Sequence, residues 1–384
     1  MLLILLNNAV YAAEPVSVDL TVGRVYDNNL YRLPDDVDLQ ALTGSNHDED
    51  VITRYGIKAN LALPFGQQKV TGHAGVVANR FKHNSQLDNE GLDTSVGWEG
   101  ALNELWQGHA KAQRERTLAS FKDYQGTERN IITYHAEEVG LLRQLTPHWS
   151  MWGDMLWYSY SRSAQSQQHN DRRSFGGRLG ATGRSPAGSE MKISAMSRQI
   201  DFPKRSGEVD SVLGDELRED ELDVHFKWKL MGNTSADGGL GFERVATSGL
   251  ADKDYSGGVY NVALNWDREG VLSLRGALWR DIDTRDSTYA DFVVRDGVSL
   301  SGKWMIRPTL QVRIEKSRQL LNYEGSVASS RDDTLNDASL KLSYMPLRNL
   351  DFTLAYSESN RDSNAINNDF SSNIIELGGT IHWK

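Results

Sequence analysis

Apolar and polar residues alternate with period two along most of the chain. Leu222, Val224, Phe226, Trp228 and Leu230 take turns with Asp223, His225, Lys227 and Lys229. Val298, Leu300, Gly302, Trp304 and Ile306 do the same with Ser299, Ser301 and Lys303, and Leu350, Phe352, Leu354 and Tyr356 with Asp351 and Thr353. Period two is the signature of strands with one apolar face. Helical periodicity is scarce. Eight short segments carry turn residues: 64–67, 103–104, 146–148, 185–188, 232–234, 267–270, 307–308 and 346–349. They recur every ~40 residues, the length of two strands and a loop. Between them lie nine longer polar connections, at 28–50, 82–90, 114–128, 162–171, 200–219, 247–255, 282–289, 317–334 and 359–372.

Nine long loops alternating with eight short turns predict eighteen strands. An even strand count with short turns at one end is the layout of a bacterial outer-membrane barrel. The predicted fold is all-β: a single transmembrane antiparallel up-and-down β-barrel of about 18 strands over residues 13–384, with both termini on the short-turn, periplasmic side. The last strand, with Ile375, Leu377, Gly379, Ile381 and Trp383 on one side, then pairs with the first, with Val16, Val18, Leu20 and Val22.

A soluble antiparallel sheet also alternates, so two further features carry the choice. Trp106, Trp149, Trp228, Trp266, Trp304 and Trp383 share the apolar parity and lie beside a short turn or the C-terminus, as does Tyr344. One sheet would bring them to one height, an aromatic girdle at a lipid headgroup region. Glycines such as Gly72, Gly108, Gly153 and Gly276 occupy the same apolar faces. Glycine weakens a soluble strand but is easier to accept where a closed barrel satisfies all backbone groups.

Composition narrows the picture. The chain has 384 residues, no cysteine and a formal net charge of −10. Disulfide frameworks and cysteine metal sites are excluded. The acidic balance excludes nucleic acid as an expected partner, because phosphate neutralisation needs a basic patch. No later stretch holds the ~18 apolar residues of a spanning helix. The opening MLLILLNNAVYAAEPVS has an apolar run at Leu2–Leu6 and a small-residue site at Val10–Ala12. Residues 1–12 read as the remnant of a secretory signal, although no basic region precedes them.

The stretch Val25-Tyr26-Asp27-Asn28-Asn29-Leu30-Tyr31-Arg32-Leu33-Pro34 closes the first strand. It resembles the Y-D-x-N-L-[FY]-R-L-P opening of the EpsL-type outer-membrane proteins, β-barrel porins encoded with exopolysaccharide biosynthesis genes. The match covers about ten residues. The resemblance implies a channel that assists export of an exopolysaccharide, with outer-membrane lipid, the polysaccharide and the exopolysaccharide export machinery as partners. It supplies no catalytic residues. One departure is that Trp383 is followed by Lys384, whereas such proteins commonly end on an aromatic. Within the motif, Asp27, Asn28 and Asn29 suit a turn, and Tyr31 and Arg32 are placed to reach toward the pore mouth.

No catalytic motif, cofactor loop or metal-ligand spacing is visible, so no enzyme activity, cofactor or metal is expected. Of the nine histidines, His73, His109, His135, His225 and His382 are placed inside the barrel, with no way to pair them from sequence. Glu137-Glu138 forces one carboxylate outward unless the strand is bulged or lies toward the loops. The inward parity carries Arg54, Lys58, Lys111, Arg178, Lys192, Lys227, Lys229, Arg275, Arg295, Lys303, Arg313 and Glu315, with Tyr158, Tyr160 and Trp152 as candidate saccharide contacts. With Asp19, Glu99, Asp154, Asp223, Asp351 and Glu376 they make a mixed, mildly basic wall, the excess acid sitting in segments such as 48–50 and 216–221. Two further readings are a general or solute-specific diffusion porin and a lipase- or protease-like outer-membrane barrel enzyme.

Overall fold

A computed structural model describes residues 15–34, 36–43, 46–122, 126–205, 214–248, 254–283, 292–324 and 331–383. Residues 1–12, read from the sequence as a signal remnant, and Lys384 lie outside these residues. The strands are β1 (Val16–Asp27), β2 (Asp50–Phe65), β3 (Gln68–Phe81), β4 (Asn89–Ala101), β5 (Trp106–Leu118), β6 (Ile131–Thr146), β7 (Trp149–Arg162), β8 (Arg172–Arg184) and β9 (Glu190–Asp201). They continue as β10 (Glu216–Lys229), β11 (Thr234–Thr247), β12 (Tyr255–Arg268), β13 (Leu272–Asp283), β14 (Phe292–Arg307), β15 (Leu310–Glu324), β16 (Arg331–Leu347), β17 (Leu350–Ser363) and β18 (Phe370–Trp383).

Each strand pairs antiparallel with its sequence neighbours, and β1 pairs with β18, so the sheet closes on itself. The seam is fully registered from Val18↔Trp383 to Asp27↔Ile374. Closure leaves no strand edge, which is what permits strands to span hydrocarbon. The eight short turns fall where the alternation breaks, and three carry a register shift beside them, at Gln144/Thr146, Met305/Arg307 and Tyr344/Leu347.

Several strands run further at the long-loop end than alternation predicts. β15 continues to Glu324 and β16 begins at Arg331, inside the predicted 317–334 loop. β5 reaches Leu118, and β10 begins at Glu216, inside the predicted 200–219 loop. These extensions are polar on both faces, so they carry no period-two signal, yet the backbone ladder persists. The acids of 216–221 therefore belong to a strand, and Glu219 and Glu221 turn inward.

The apolar faces point outward and are exposed, including Leu179 at 71%, Leu300 at 64% and Met155 at 59%. Trp149, Trp228, Trp304 and Trp383 ring the short-turn end on this face. Trp106 and Trp266 share their parity by register, and Trp98 joins them. A second outward set, Tyr26, Tyr55, Phe175, Phe242, Tyr260 and Tyr356, sits toward the loops. The eight steps from Trp149 to Trp157 on β7 span roughly 27 Å along the strand. At ~40° tilt that is about 20 Å of height, near the ~25 Å apolar band of such barrels.

Glu137-Glu138 is resolved without a bulge, since Glu137↔Trp157 and Glu138↔Leu156 are consecutive pairs. Glu138 faces inward. Glu137 faces outward in the loop-side half, 3.6 Å from His135. His135 is thus on the outer face, its ring 5.2 Å from Trp157, and not in the interior. The position lies where the outer face is already leaving its apolar band.

Buried apolar side chains cluster only at the loop end among the described residues. Val25, Leu30, Tyr31, Ile52, Phe81, Leu87, Ala119 and Phe121 form one cluster, and Ile200, Phe202, Leu217 and Val245 another. These behave like small soluble cores standing on the barrel rim.

Replacing Leu179 by arginine tests which medium covers the outer face. In a bilayer the change should cost roughly 2–4 kcal/mol of folding free energy, whereas an ordinary water-exposed site shifts by about 0.5 kcal/mol at most. Refolding into vesicles against a urea gradient reads the difference.

Candidate functional site

The candidate site is the lumen and its loop-side mouth. The segment resembling the porin opening builds part of that mouth. Arg32 donates to Asp27 through Nη1 to Oδ1 at 2.9 Å and Nη2 to Oδ2 at 2.8 Å. The Asp27 carboxylate also accepts the Asn29 amide at 3.1 Å. Asn29 Nδ2 donates to the carbonyls of Leu33 and Ser371, and Asn28 Oδ1 accepts the Asn373 amide at 2.6 Å. Arg32 adopts a left-handed φ of 57°, a strained state for a non-glycine that the paired guanidinium holds in place. Tyr31 is 2% exposed and donates to Asn84 Oδ1 at 2.9 Å. Burial, and then the nearby Asp50 charge, pushes the Tyr31 hydroxyl above its ordinary pKa and keeps it a donor. Tyr31 and Arg32 therefore do not reach for solute; Arg32 braces the Asp27–Asn29 turn that ties β1 to β18, and Tyr31 anchors the mouth cluster.

Residues 119–122, following β5, reach across the mouth. Lys122 Nζ lies 2.6 Å from Asp337 Oδ1 on β16, and the Lys122 carbonyl accepts Arg361 Nη2 of β17 at 2.6 Å. Phe121 meets Tyr31 edge-on at 5.0 Å between centroids. β5 and β16 stand far apart around the ring, so this segment spans the opening as a strap.

Inside, the Arg, Lys, Glu, Tyr and Trp residues predicted from parity to line the lumen face inward by register, whereas His135 does not. Chemistry divides them into two groups. Arg54 pairs with Glu376 at 3.5 Å, Lys58 with Asp93 at 3.0 Å, Arg178 with Asp154 at 3.1 Å, Arg275 with Asp237 at 2.9 Å and Arg295 with Asp281 at 2.8 Å. Lys111, Lys192, Lys227, Lys229, Lys303, Arg313 and Glu315 form no ion pair among the described residues, nor does Lys341. Except for Lys111, these unpaired bases lie toward the short-turn end of β9, β10, β14, β15 and β16. The wall as a whole is balanced rather than mildly basic, because Asp93, Glu115, Glu138, Glu219, Glu221, Asp237, Glu243, Asp281, Asp333 and Asp337 also face inward. Sequence reasoning missed several of these acids because they lie on the polar strand extensions.

The aromatic strip is wider than predicted. Tyr134 on β6 joins Tyr160 at 4.6 Å, and Tyr158 meets Tyr160 at 5.8 Å. Arg172 and Arg198 lie over Tyr160 and Tyr158 at 4.5 and 5.6 Å. Below them Trp152 donates to Thr182 Oγ1 at 3.1 Å and is approached by Arg178 and Lys192. This corner opens into a recess of about 610 Å³ lined also by His109, Glu138, Asp154 and Lys227.

Histidine pairing, invisible in the sequence, is explicit here. His73 contacts Ser95 Oγ through Nδ1 at 2.8 Å and Asp93 Oδ1 through Nε2 at 2.6 Å. All three lie on neighbouring paired strands, whose backbone amides are engaged in the ladder rather than grouped as an oxyanion hole. His225 meets Asp223 at 2.8 Å, and His382 bridges Asp19 and Asp351 across the closing seam at 2.7 and 2.9 Å.

With this geometry, the structure aligns with solved bacterial channels over nearly its full length. The fold is that of the outer-membrane porins. OpdK of Pseudomonas aeruginosa, solved with vanillate, is similar at TM-score 0.52 and 12% identity, covering 96% of this chain and 99% of that one. A BenF-like porin of Pseudomonas fluorescens is similar at TM-score 0.54 and 12% identity, covering 96% and 99%. OccK2 (OpdF) of P. aeruginosa, in complex with glucuronate, is similar at TM-score 0.54 and 10% identity, covering 96% and 98%. The family model described as "Putative beta-barrel porin 2" matches residues 236–382, from β11 through β18. No curated protein matches the chain in sequence.

Two changes probe the mouth. Arg32→Ala leaves Asp27 buried without its partner and should cost about 3 kcal/mol, seen as a lower temperature for the heat-modifiable gel shift. Asp337→Ala releases Lys122 and should raise single-channel conductance in planar bilayers; unchanged conductance would show that the strap does not restrict the opening.

Proposed function

We propose that this chain is a passive diffusion channel of the bacterial outer membrane, with both termini on the periplasmic side, for small hydrophilic solutes bearing carboxylates. The observation that carries the reading is the set of inward bases that form no ion pair among the described residues: Lys192, Lys227, Lys229, Lys303, Arg313 and Lys341. A buried pair braces a wall and offers little to a passing solute, whereas an unpaired base on a water-filled wall tunes selectivity. An eighteen-strand ring is wide enough for an aqueous lumen. The paired charges stiffen that lumen. The Lys122 contact and the two apolar clusters stand at its mouth.

The ligands of two similar structures, vanillate and glucuronate, are both carboxylates, which supports the same solute class. Trp152 beside Lys192 combines an apolar ring face with a cation and suits a sugar acid. Export of an exopolysaccharide, with its export machinery as partner, is a second reading. It draws on the aromatic strip of Trp152, Tyr158, Tyr160 and Tyr134. It is weakened because the motif behind it works as a structural corner and because a strap crosses the mouth. A lipase- or protease-like role fits less well, since the His73 cluster lacks oxyanion donors.

The discriminating measurement is the reversal potential of the reconstituted barrel under a potassium chloride gradient. Anion preference is expected, and Lys192→Glu with Lys227→Glu should move it toward cations. A wild type that prefers cations, or a double variant with an unchanged potential, would sink the assignment. Current block by a polysaccharide but not by glucuronate would favour the export reading.

A further inference from the structure

We propose that His109, Glu138 and Asp154 form a zinc site on the lumenal wall. The three residues come from consecutive strands β5, β6 and β7 and face the same recess. His109 Nε2 lies 3.1 Å from Glu138 Oε1 and 3.6 Å from Asp154 Oδ1, and all three donor atoms fall within 4.8 Å of one another. Zinc bonds of ~2.0–2.2 Å in a tetrahedron place their donors about 3.3 Å apart. The donor atoms thus already stand close to the spacing that one ion requires.

The surrounding wall is shaped for this convergence. In the ladder Gly140 stands directly between His109 and Asp154. A Cβ at Gly140 would collide with the His109 ring and with Asp154 Oδ1. Glycine there lets the two side chains fold over the backbone and meet. Asp154 is 7% exposed, and its Oδ2 accepts Arg178 Nη2 at 3.1 Å. Its Oδ1 accepts no hydrogen bond from the described residues and faces His109. One carboxylate oxygen is held by an outer partner and the other is left for the ion, the usual arrangement around a bound metal.

The donor set favours zinc among common divalent ions. One imidazole and two carboxylates make a borderline-hard site, and two negative charges offset the dication. A fourth position opens onto the recess, where water or a solute carboxylate completes the shell. Sequence spacing conceals the site because the ligands are 29 and 16 positions apart and only the ring register unites them.

The test uses the full barrel, purified in detergent and stripped of metal. Cobalt(II) is titrated by its visible ligand-field absorption, and zinc is then added as competitor. One equivalent of cobalt, displaced by one of zinc, is expected. His109→Ala and Glu138→Gln should each weaken binding beyond the ~10–100-fold typical of outer-shell changes, and Gly140→Ala should weaken it measurably. His73→Ala, elsewhere on the wall, should bind as the wild type. Glu138→Gln keeps the side-chain volume, and heat-modifiable migration confirms that each variant is folded. The proposal is overturned if the wild type takes up no stoichiometric metal, or if His109→Ala and Glu138→Gln bind as tightly as the wild type.

Discussion

The structure depends on one constraint: within hydrocarbon, every backbone amide and carbonyl must find its partner inside the protein. The chain meets it by closing eighteen strands into a ring through the β1–β18 seam. The seam is also reinforced from the lumen, by Thr21 with Thr380 and by His382 between Asp19 and Asp351. Closure frees the side chains from the work they do in a soluble protein. Their apolar rows cover the outside, and their polar rows fill the inside.

That inversion decides where rigidity comes from. A soluble domain is held by a buried apolar core. Here such cores occur only at the mouth, where loops leave the sheet and need packing of their own. Tyr31 and Phe121 sit in one of them, and the buried Asp50 carboxylate beside it accepts the amides of Val51, Lys82 and Asn84 at 2.7, 2.8 and 2.8 Å. The lumen wall is held instead by ion pairs between strands one or two apart, such as Arg295 with Asp281 and Arg275 with Asp237. A single exposed pair of this kind contributes little, but repeated around a ring these pairs fix which charges are spent on structure. The bases left over, which form no ion pair among the described residues, then face the water column.

Function follows from the same division. Lys122, following β5, reaches Asp337 of β16 at the mouth, and the short-turn half of the lumen carries bases that form no ion pair among the described residues. Between them lies the Trp152 recess, where a ring face, two lysines and the His109–Glu138–Asp154 cluster stand within one cavity. A solute passing down the barrel meets first a sieve and then a field.

Sequence alone determined the strands, their two faces, the turn positions and the ring of tryptophans. Each of these follows from alternation and turn chemistry, which are local. Leu222 to Leu230 reads as a strand without knowing any neighbour. The polar extensions of β10, β15 and β16 escaped, because a strand that is wet on both faces has no period to read. The motif around Asp27 and Arg32 was legible as a turn, but its role was not. Only the seam, which brings Asn373 and Ser371 beside it, shows it to be a brace. Tertiary structure also decided which lumen charges are paired, that His135 faces outward, and that Gly140 makes room for His109 and Asp154. These facts depend on which residues stand opposite one another around a closed ring. That register is a property of eighteen strands together, and no short window of sequence contains it.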